Sequence, residues 1–210
     1  MEKKYKLTKE TKTINSVTLH RIQALRDFDN VKKGELGGWI QSETNLSHEG
    51  DCWVYKDAWV YKNAQVFGDA WVYGKARISG SAQVYGDACV YQNAQVFENA
   101  LVYDNAWVFG SARVFGDAQV FGDAEVYWSA RVSGKTRLQI GRYDEGEIIE
   151  TPMAIVGSKY VINKSGNSIF IGCQKLTQEE WLGDKGKKLA IEYEFTEKRI
   201  NEYEKYIKKL

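Results

Sequence analysis

Histidine and cysteine are scarce in this chain of 210 residues, and each shortage removes a class of function. The two histidines are His20 and His48, and the three cysteines, Cys52, Cys89 and Cys173, lack the close spacing of a zinc site. An odd number of cysteines favours a reducing compartment over a disulfide framework. The sequence contains no serine-hydrolase elbow, P-loop or CxxC pair. We therefore expect neither a metal site nor a cofactor.

Strong charge and membrane signals are also absent. The formal net charge is +1, so bulk electrostatic capture of a nucleic acid is not expected. No apolar run reaches the roughly 18 residues of a membrane span, and residues 1–4 do not resemble the start of a signal peptide. We therefore expect a cytoplasmic protein that does not enter a membrane.

What the chain has instead is a six-residue phrase, which fills residues 50–139 with 15 hexads and no insertion. The third position holds Cys52, then Ala until Thr136, and the fifth position is always aliphatic. Over the third to sixth positions, a small or aliphatic residue thus alternates with a variable or aromatic one. This alternation predicts a short strand with Ala and Val pointing inward. The two remaining positions hold turn-forming residues. A short fixed period of this kind predicts a solenoid, here a parallel β-helix.

In the repeat, a fifth-position Val is followed four residues later by the Ala of the next hexad. This pattern resembles the hexapeptide repeat of left-handed β-helices, in which three hexads form one triangular coil. Together with LGGWI at 36–40 and IGC at 171–173, the chain resembles the YdcK-like group of hexapeptide-repeat proteins. That group occurs in bacteria and often in phages or prophages, and its members are frequently described as acyltransferases. The resemblance covers nearly the whole chain. It implies a mainly β fold, a single-stranded left-handed parallel β-helix of about five coils with a cap at each end.

We predict three segments. Residues 1–49 form an N-terminal β-rich cap, residues 50–139 form the β-helix, and residues 140–210 form a C-terminal α+β cap with a strand hairpin and helices. Both caps would cover strand edges that otherwise pair between molecules. In the C-terminal segment, Thr177 and Glu180 form a capping-box pattern, and Thr196 precedes a second helical pattern.

With three hexads per coil, every third hexad lies on the same face, and the first face is rich in aromatic residues. A contiguous exposed apolar patch usually marks an interface. Three interpretations are open: a terminal segment or second subunit covers the rings, a ligand or foreign protein binds them, or they only stack between coils. The candidate interface residues on this face are Trp53, Tyr55, Trp71, Tyr73, Tyr91, Trp107, Phe109 and Tyr127.

The second face aligns three arginines, Arg77, Arg113 and Arg131, among aromatic residues. This column would suit an acidic partner, a phosphate group or single-stranded nucleic acid, and the alternative is a solvated face. The third face carries glutamines and stacked rings, for which we expect a structural role. Aspartates at the second hexad position interchange with Asn, Ser and Lys, as turn formers do, so we do not expect a calcium site.

The resemblance raises the question of acyl transfer. Acyltransferases of this fold typically use a histidine base and a loop that protrudes from a coil, and the repeats here contain neither. The same shortage of histidine excludes the three-histidine zinc site of β-helical carbonic anhydrases. His48, beside Glu49, is one candidate for a general base, and His20 is the other.

We therefore predict a non-enzymatic binding or scaffold protein that acts through its aromatic and arginine-bearing faces. Trimers are common in this fold, so we expect a homo-oligomer, either a trimer or a dimer, with an unidentified protein partner. The alternative is an acyltransferase-like enzyme with its site at a subunit boundary. Because similar proteins are often phage-encoded, a third interpretation is a phage accessory protein that binds a host factor in the host cytoplasm.

Overall fold

The computed structural model describes residues 2–143, 148–151, 155–156, 159–172 and 174–210. Cys173 and parts of the C-terminal segment in which strands are predicted, residues 153–154 and 157–158, lie outside the described residues. Three strands and a 3-10 turn precede the hexads: β1 (Tyr5–Ile14), β2 (Val17–Ala24), β3 (Leu36–Ile40) and Glu43–Asn45.

The hexads form short strands, each ended by the turn at the next hexad boundary. The first eleven have two residues each: β4 (Trp53–Val54), β5 (Trp59–Val60), β6 (Gln65–Val66), β7 (Trp71–Val72), β8 (Arg77–Ile78), β9 (Gln83–Val84), β10 (Cys89–Val90), β11 (Gln95–Val96), β12 (Leu101–Val102), β13 (Trp107–Val108) and β14 (Arg113–Val114). The later strands are longer: β15 (Gln119–Val126), β16 (Arg131–Gly134), β17 (Arg137–Tyr143) and β18 (Ile148–Thr151).

Parallel pairing between strands 18 residues apart confirms the solenoid and its three hexads per coil. Trp53 pairs with Trp71, and Cys89 pairs with Trp107. The first face contains β4, β7, β10, β13 and the second half of β15. The second face contains β3, β5, β8, β11, β14, β16 and β18. The third face contains β6, β9, β12 and the first half of β15. We call the edges that follow these faces along the chain the first, second and third edges. The left hand of the coil stays a prediction from the resemblance.

The stack is longer than the five predicted coils, with about six turns. At its beginning, β3 pairs in parallel with β5, placing Trp39 beside Trp59. At its far end, β17 continues the pairing beyond residue 139, and β16 pairs with β18. Strands outside the hexad pattern therefore extend the faces in both directions. The segment boundaries at residues 49 and 139 stay predictions.

The core is the inside of the coils. Every third-position and fifth-position side chain from Cys52 to Leu138 is at most 1 % exposed. The first hexad position has the left-handed conformation in all 15 repeats, with φ between 52° and 73°. Nine of these residues are glycine, and for each of the others the left-handed conformation costs about 1 kcal/mol of folding free energy. They are Lys56, Lys62, Gln92, Glu98, Asp104 and Trp128.

Two additional units flank the coils. The β1–β2 hairpin pairs antiparallel with β3, so the sheet of the second face continues into it. At the other end, β19 (Ile155–Val156), β20 (Val161–Ser165), β21 (Ser168–Ile171) and β22 (Gln174–Thr177) form an antiparallel sheet, followed by α1 (Gln178–Leu182), α2 (Asp184–Glu192) and α3 (Glu197–Ile207). The Thr177–Glu180 capping box is formed, and Thr196 caps α3. No helix in the described part of the chain is both long and apolar enough to cross a membrane.

Candidate binding surface

The N-terminal cap covers the beginning of the first face. Trp53 is fully buried, because Phe28 and Tyr5 pack edge-on against its indole at ring-centre distances of 5.2 and 6.0 Å. Tyr55 is half-buried, 6.5 Å from Trp53. The hexad pattern points both side chains outward, but the cap places Trp53 in the core, where a partner cannot contact it.

Four rings further along, which we call the first-edge stack, are Tyr73, Tyr91, Phe109 and Tyr127. Successive ring centres are 4.8, 4.8 and 5.2 Å apart, and successive planes differ by at most 12°. Ladders of the same kind run along the other two edges, from Phe67 to Phe121 and between Phe97 and Phe115. Stacking at the sixth hexad position therefore occurs on all three edges, and it fixes the rings without defining a binding site.

Trp107 distinguishes the first face from the other two. It is 46 % exposed, and its ring meets Tyr91 edge-on at 6.2 Å. Trp71, on the same column, is half-buried and lies 5.4 Å from Tyr55. Between them, Cys89 is also half-buried, and burial raises the pKa of its thiol. The first face therefore combines a rigid stack with an exposed indole.

On the second face, the predicted arginine column is held by aromatic rings. The guanidinium of Arg77 lies 4.6 Å from the Trp59 ring, and those of Arg113 and Arg131 lie 5.7 and 5.6 Å from the Phe115 ring. Cation–π contact of this kind orients a guanidinium without neutralising its charge. Exposed aspartates line the opposite, third edge: Asp51, Asp69, Asp87, Asp104 and Asp123.

The turn aspartates accept backbone hydrogen bonds from neighbouring coils. Asp69 Oδ1 accepts from the Asp51 N–H at 2.8 Å, and Asp104 Oδ2 accepts from the Gly122 N–H at 3.2 Å. Among the residues that the structure describes, no group of three His, Cys, Asp or Glu side chains is placed to hold a metal ion. These contacts are those of turn-forming residues.

His48 is packed into the N-terminal cap. Its ring stacks on Tyr5 with centres 4.3 Å apart, and its Nδ1 accepts the Lys4 N–H at 3.2 Å. Burial lowers the pKa of His48, and because Nδ1 accepts a hydrogen bond, the neutral imidazole has its proton on Nε2, 3.8 Å from a Glu43 oxygen. The lone pair that a general base needs is therefore occupied by the backbone. His20 lies on β2, between Thr11 of β1 and Ile40 of β3.

We expect His48 to make the protein sensitive to mild acid. Because its pKa is lowered by folding, the unfolded chain takes up the proton first as the pH falls through about 6.5, and the free energy of unfolding falls with it. The groups facing the ring are Glu43, Lys3, Lys4 and Tyr5, and the pKa of Glu43 is itself lowered, chiefly by its hydrogen bond from Lys3. Urea unfolding between about pH 5 and 7 should show a steeper loss for wild type than for His48→Gln. Equal slopes would contradict this assignment.

Lys4 is one of two notable residues that the sequence analysis missed. It is fully buried, and its Nζ donates to the carbonyl oxygens of Cys52 at 2.8 Å, Gly50 at 3.0 Å and Glu49 at 3.4 Å. It also lies 3.3 Å from Cys52 Sγ. Burial lowers the pKa of Lys4 and raises that of Cys52. Nothing in the charged sequence around Lys4 indicates this position.

Trp128 is the second missed residue. It is 61 % exposed and has φ of 53° at a hexad position where glycine is the commonest residue. A bulky residue in the left-handed region is unusual. The sequence does carry this signal, since Trp128 is the one aromatic residue at the first hexad position.

Comparison with known proteins supports the solenoid assignment. The family model described as YdcK Beta solenoid repeat matches residues 82–98. A protein of Escherichia coli (strain K12) named "Uncharacterized acetyltransferase YdcK" is 41% identical over 61 residues, which is 25% of this chain and 19% of that protein. The match therefore spans about a fifth of the relative's length. Together with the parallel pairing at 18-residue intervals, these matches show that the coils of this chain are similar to YdcK-like β-solenoid repeats.

Proposed function

We propose that this protein is a non-enzymatic scaffold that self-associates through its aromatic first face, as a dimer or trimer, and binds another macromolecule through its arginine-bearing second face. The observation that carries the proposal is the exposure of Trp107 beside the first-edge stack. Exposed aromatic residues are common anchors of protein interfaces. The second-face arginines, held over their rings, supply a separate surface for an acidic group.

Rigidity supports this function. A side chain that is already fixed loses little conformational entropy when a partner binds, so more of the contact energy appears as affinity. The first-edge stack fixes its rings at the 4.8 Å spacing of Tyr73 and Tyr91, and the sheet below them is packed with fully buried valines. The first face thus presents apolar area at a low ordering cost.

Substitution of Trp71 and Trp107 by glutamate should separate the subunits. Carboxylates placed in an apolar interface would have to be desolvated without a partner, which costs several kcal/mol of association energy, roughly a thousandfold or more in the dissociation constant. Light scattering should give a dimer or trimer for wild type and the mass of one chain for the double variant.

The matched control is Gln83→Glu with Gln119→Glu, which adds the same two charges, also two coils apart, at the same hexad position on the third face. This control should keep the wild-type mass, and circular dichroism should show that both variants are folded. A monomeric wild type, or a double variant that stays oligomeric, would refute self-association through the first face.

A second candidate function is acyl transfer at a subunit boundary, which the name of the Escherichia coli relative favours. The contact between His48 Nδ1 and the Lys4 N–H speaks against His48 as the base. An assay of thiol release from acetyl-coenzyme A separates the two functions. The scaffold predicts no turnover, whereas turnover that is lost in His48→Gln or His20→Gln would establish the enzyme.

The scaffold proposal includes a location. The odd cysteine count supports a cytoplasmic protein, which would be in the host cytoplasm if a phage encodes it. The bound macromolecule would then be a host factor. Capture with a wild-type and an Arg77→Glu bait, from the same lysate, would test whether such a partner uses the second face.

A further inference from the structure

The first edge of the solenoid contains a slot, which we call the Trp128 slot. Its lining residues are Gln92, Phe109, Gly110, Ser111, Trp128 and Ser129. Gln92, Gly110 and Trp128 occupy the first hexad position of three successive coils. At about 4.8 Å per coil, the two walls are roughly 10 Å apart, with Gly110 between them.

Gly110 keeps the slot open. A Cβ at this position would lie 2.7 Å from the backbone nitrogen of Trp128, so the close approach of the coils itself requires glycine. Gln92 Oε1 accepts the Gly110 N–H at 2.8 Å, which fixes the amide at the opposite wall. The walls are therefore held in place by backbone contacts before any ligand arrives.

Trp128 lowers the stability of the fold at its position in the turn. Its backbone is in the left-handed region, and at 61 % exposure its indole gains little from burial. Five polar residues at the same hexad position share this strain, so Trp128 is distinguished by combining a strained backbone with a large exposed aromatic ring. An indole held exposed in this way is available to a ligand.

The chemistry of the slot identifies the class of ligand. An indole, a phenyl ring, an amide and two hydroxyl groups line it, and none of the six lining residues is charged. The electron-rich face of an indole attracts the weakly positive C–H face of a sugar ring, while amide and hydroxyl groups bond to sugar hydroxyls. A phosphate or carboxylate ligand would find no countercharge in the slot.

We propose that the Trp128 slot binds a neutral saccharide. Trp107, two residues before Phe109 on the same outward side of the coil, lies about 7 Å along the chain and provides a second exposed indole. The two indoles suit an oligosaccharide better than a single sugar. The inference goes beyond the scaffold function and does not depend on it, because one chain supplies all six lining residues, and Trp107, which self-association through the first face would cover, is not one of them.

Isothermal titration with cellotetraose, maltotetraose and chitotetraose tests the proposal on the full chain. At least one of these neutral probes should bind to wild type, and Trp128→Gly should weaken that binding at least tenfold. The variant should also be more stable, with a folding equilibrium constant several-fold higher, because glycine relieves the left-handed strain.

Lys62→Gly is the matched control. Lys62 has φ of 59° at the same hexad position but lies on the second edge, so its replacement relieves the same strain without touching the slot. It should gain stability and bind the probe as wild type does. The proposal is overturned if none of the three probes binds, if Trp128→Gly binds as tightly as wild type, or if only a sulfated oligosaccharide binds. A wild-type monomer that binds the sugar would uphold this inference while refuting self-association.

Discussion

Replacing Lys4 with methionine is expected to lower the free energy of unfolding by about 3 kcal/mol, because it leaves buried carbonyl groups without their donor. The ammonium of Lys4 satisfies the carbonyl oxygens of Cys52 and Gly50 and approaches that of Glu49. Methionine retains the apolar stem beside Phe28, whose ring centre is 5.1 Å from Nζ, so packing is largely kept. The decrease in the free energy of unfolding should therefore reflect the lost hydrogen bonds of the Lys4 ammonium group.

Urea unfolding followed by tryptophan fluorescence is a suitable measurement, since Trp53 is buried under the same cap. Lys3→Met is the matched control, because Lys3 pairs with Glu43 at 2.7 Å on the surface, with more than half of its side chain exposed. An exposed pair of this kind contributes at most about 1 kcal/mol.

A Lys4→Met variant as stable as wild type would contradict the prediction. Apolar residues that replace a buried charge can be neutral or stabilising when the surrounding groups find other partners. In that outcome, water would have to reach the carbonyl group of Cys52, at the opening of the first coil. Faster hydrogen exchange of the β1 amides would reveal such an opening.

The repetitive part of this protein could be predicted from sequence because each hexad has the same local solution. Val90 and Ala94 point inward for the same reason as their counterparts one coil away, and pairing at 18 residues follows once three hexads close a coil. The number of turns could not be predicted in this way. Strand β3 and the part of β17 beyond residue 139 extend the stack outside the hexads, through pairing that only the folded coil provides.

The candidate site was less predictable, because the exposure of an outward-pointing side chain depends on which other segment of the chain packs over it. The hexad places Trp53 and Trp107 in equivalent outward positions, yet one is fully buried and the other is 46 % exposed. The difference arises from Tyr5 and Phe28, which are distant in sequence. Lys4 illustrates the same limit, since the carbonyl groups that receive it lie more than 40 residues away.

Trp128 is different, because its deviation is local. A glycine-rich turn position with one tryptophan can be recognised in the sequence alone, and the φ of 53° shows why the exception matters. The neutral lining of its slot required the structure, because Gln92 and Ser129 approach each other only through the stacking of coils.

Gly38→Ala is expected to destabilise the protein by about 3 kcal/mol and to detach the N-terminal cap. A Cβ on Gly38 would lie 2.7 Å from the carbonyl oxygen of Ala58 and 2.7 Å from a methyl group of Val54. A backbone oxygen in a packed coil cannot move aside, so β3 would have to withdraw. That withdrawal would break the hydrogen bond from the Trp39 N–H to the same Ala58 oxygen, now 2.9 Å long.

Detachment of β3 would have a second consequence, since it exposes the edge of β5 that β3 now covers. An uncovered parallel edge is a template for pairing with another chain. Gly38→Ala should therefore be cut faster by protease within residues 2–45 and should form larger particles by dynamic light scattering. Leu36→Ala is the control, because Leu36 is on the same strand and 46 % exposed, and its truncation introduces no clash. If Gly38→Ala unfolds without forming larger particles, β3 stabilises the fold but is not what prevents association through the edge of β5. If Gly38→Ala is as stable as wild type, the close packing of β3 on the first coil does not hold the cap in place.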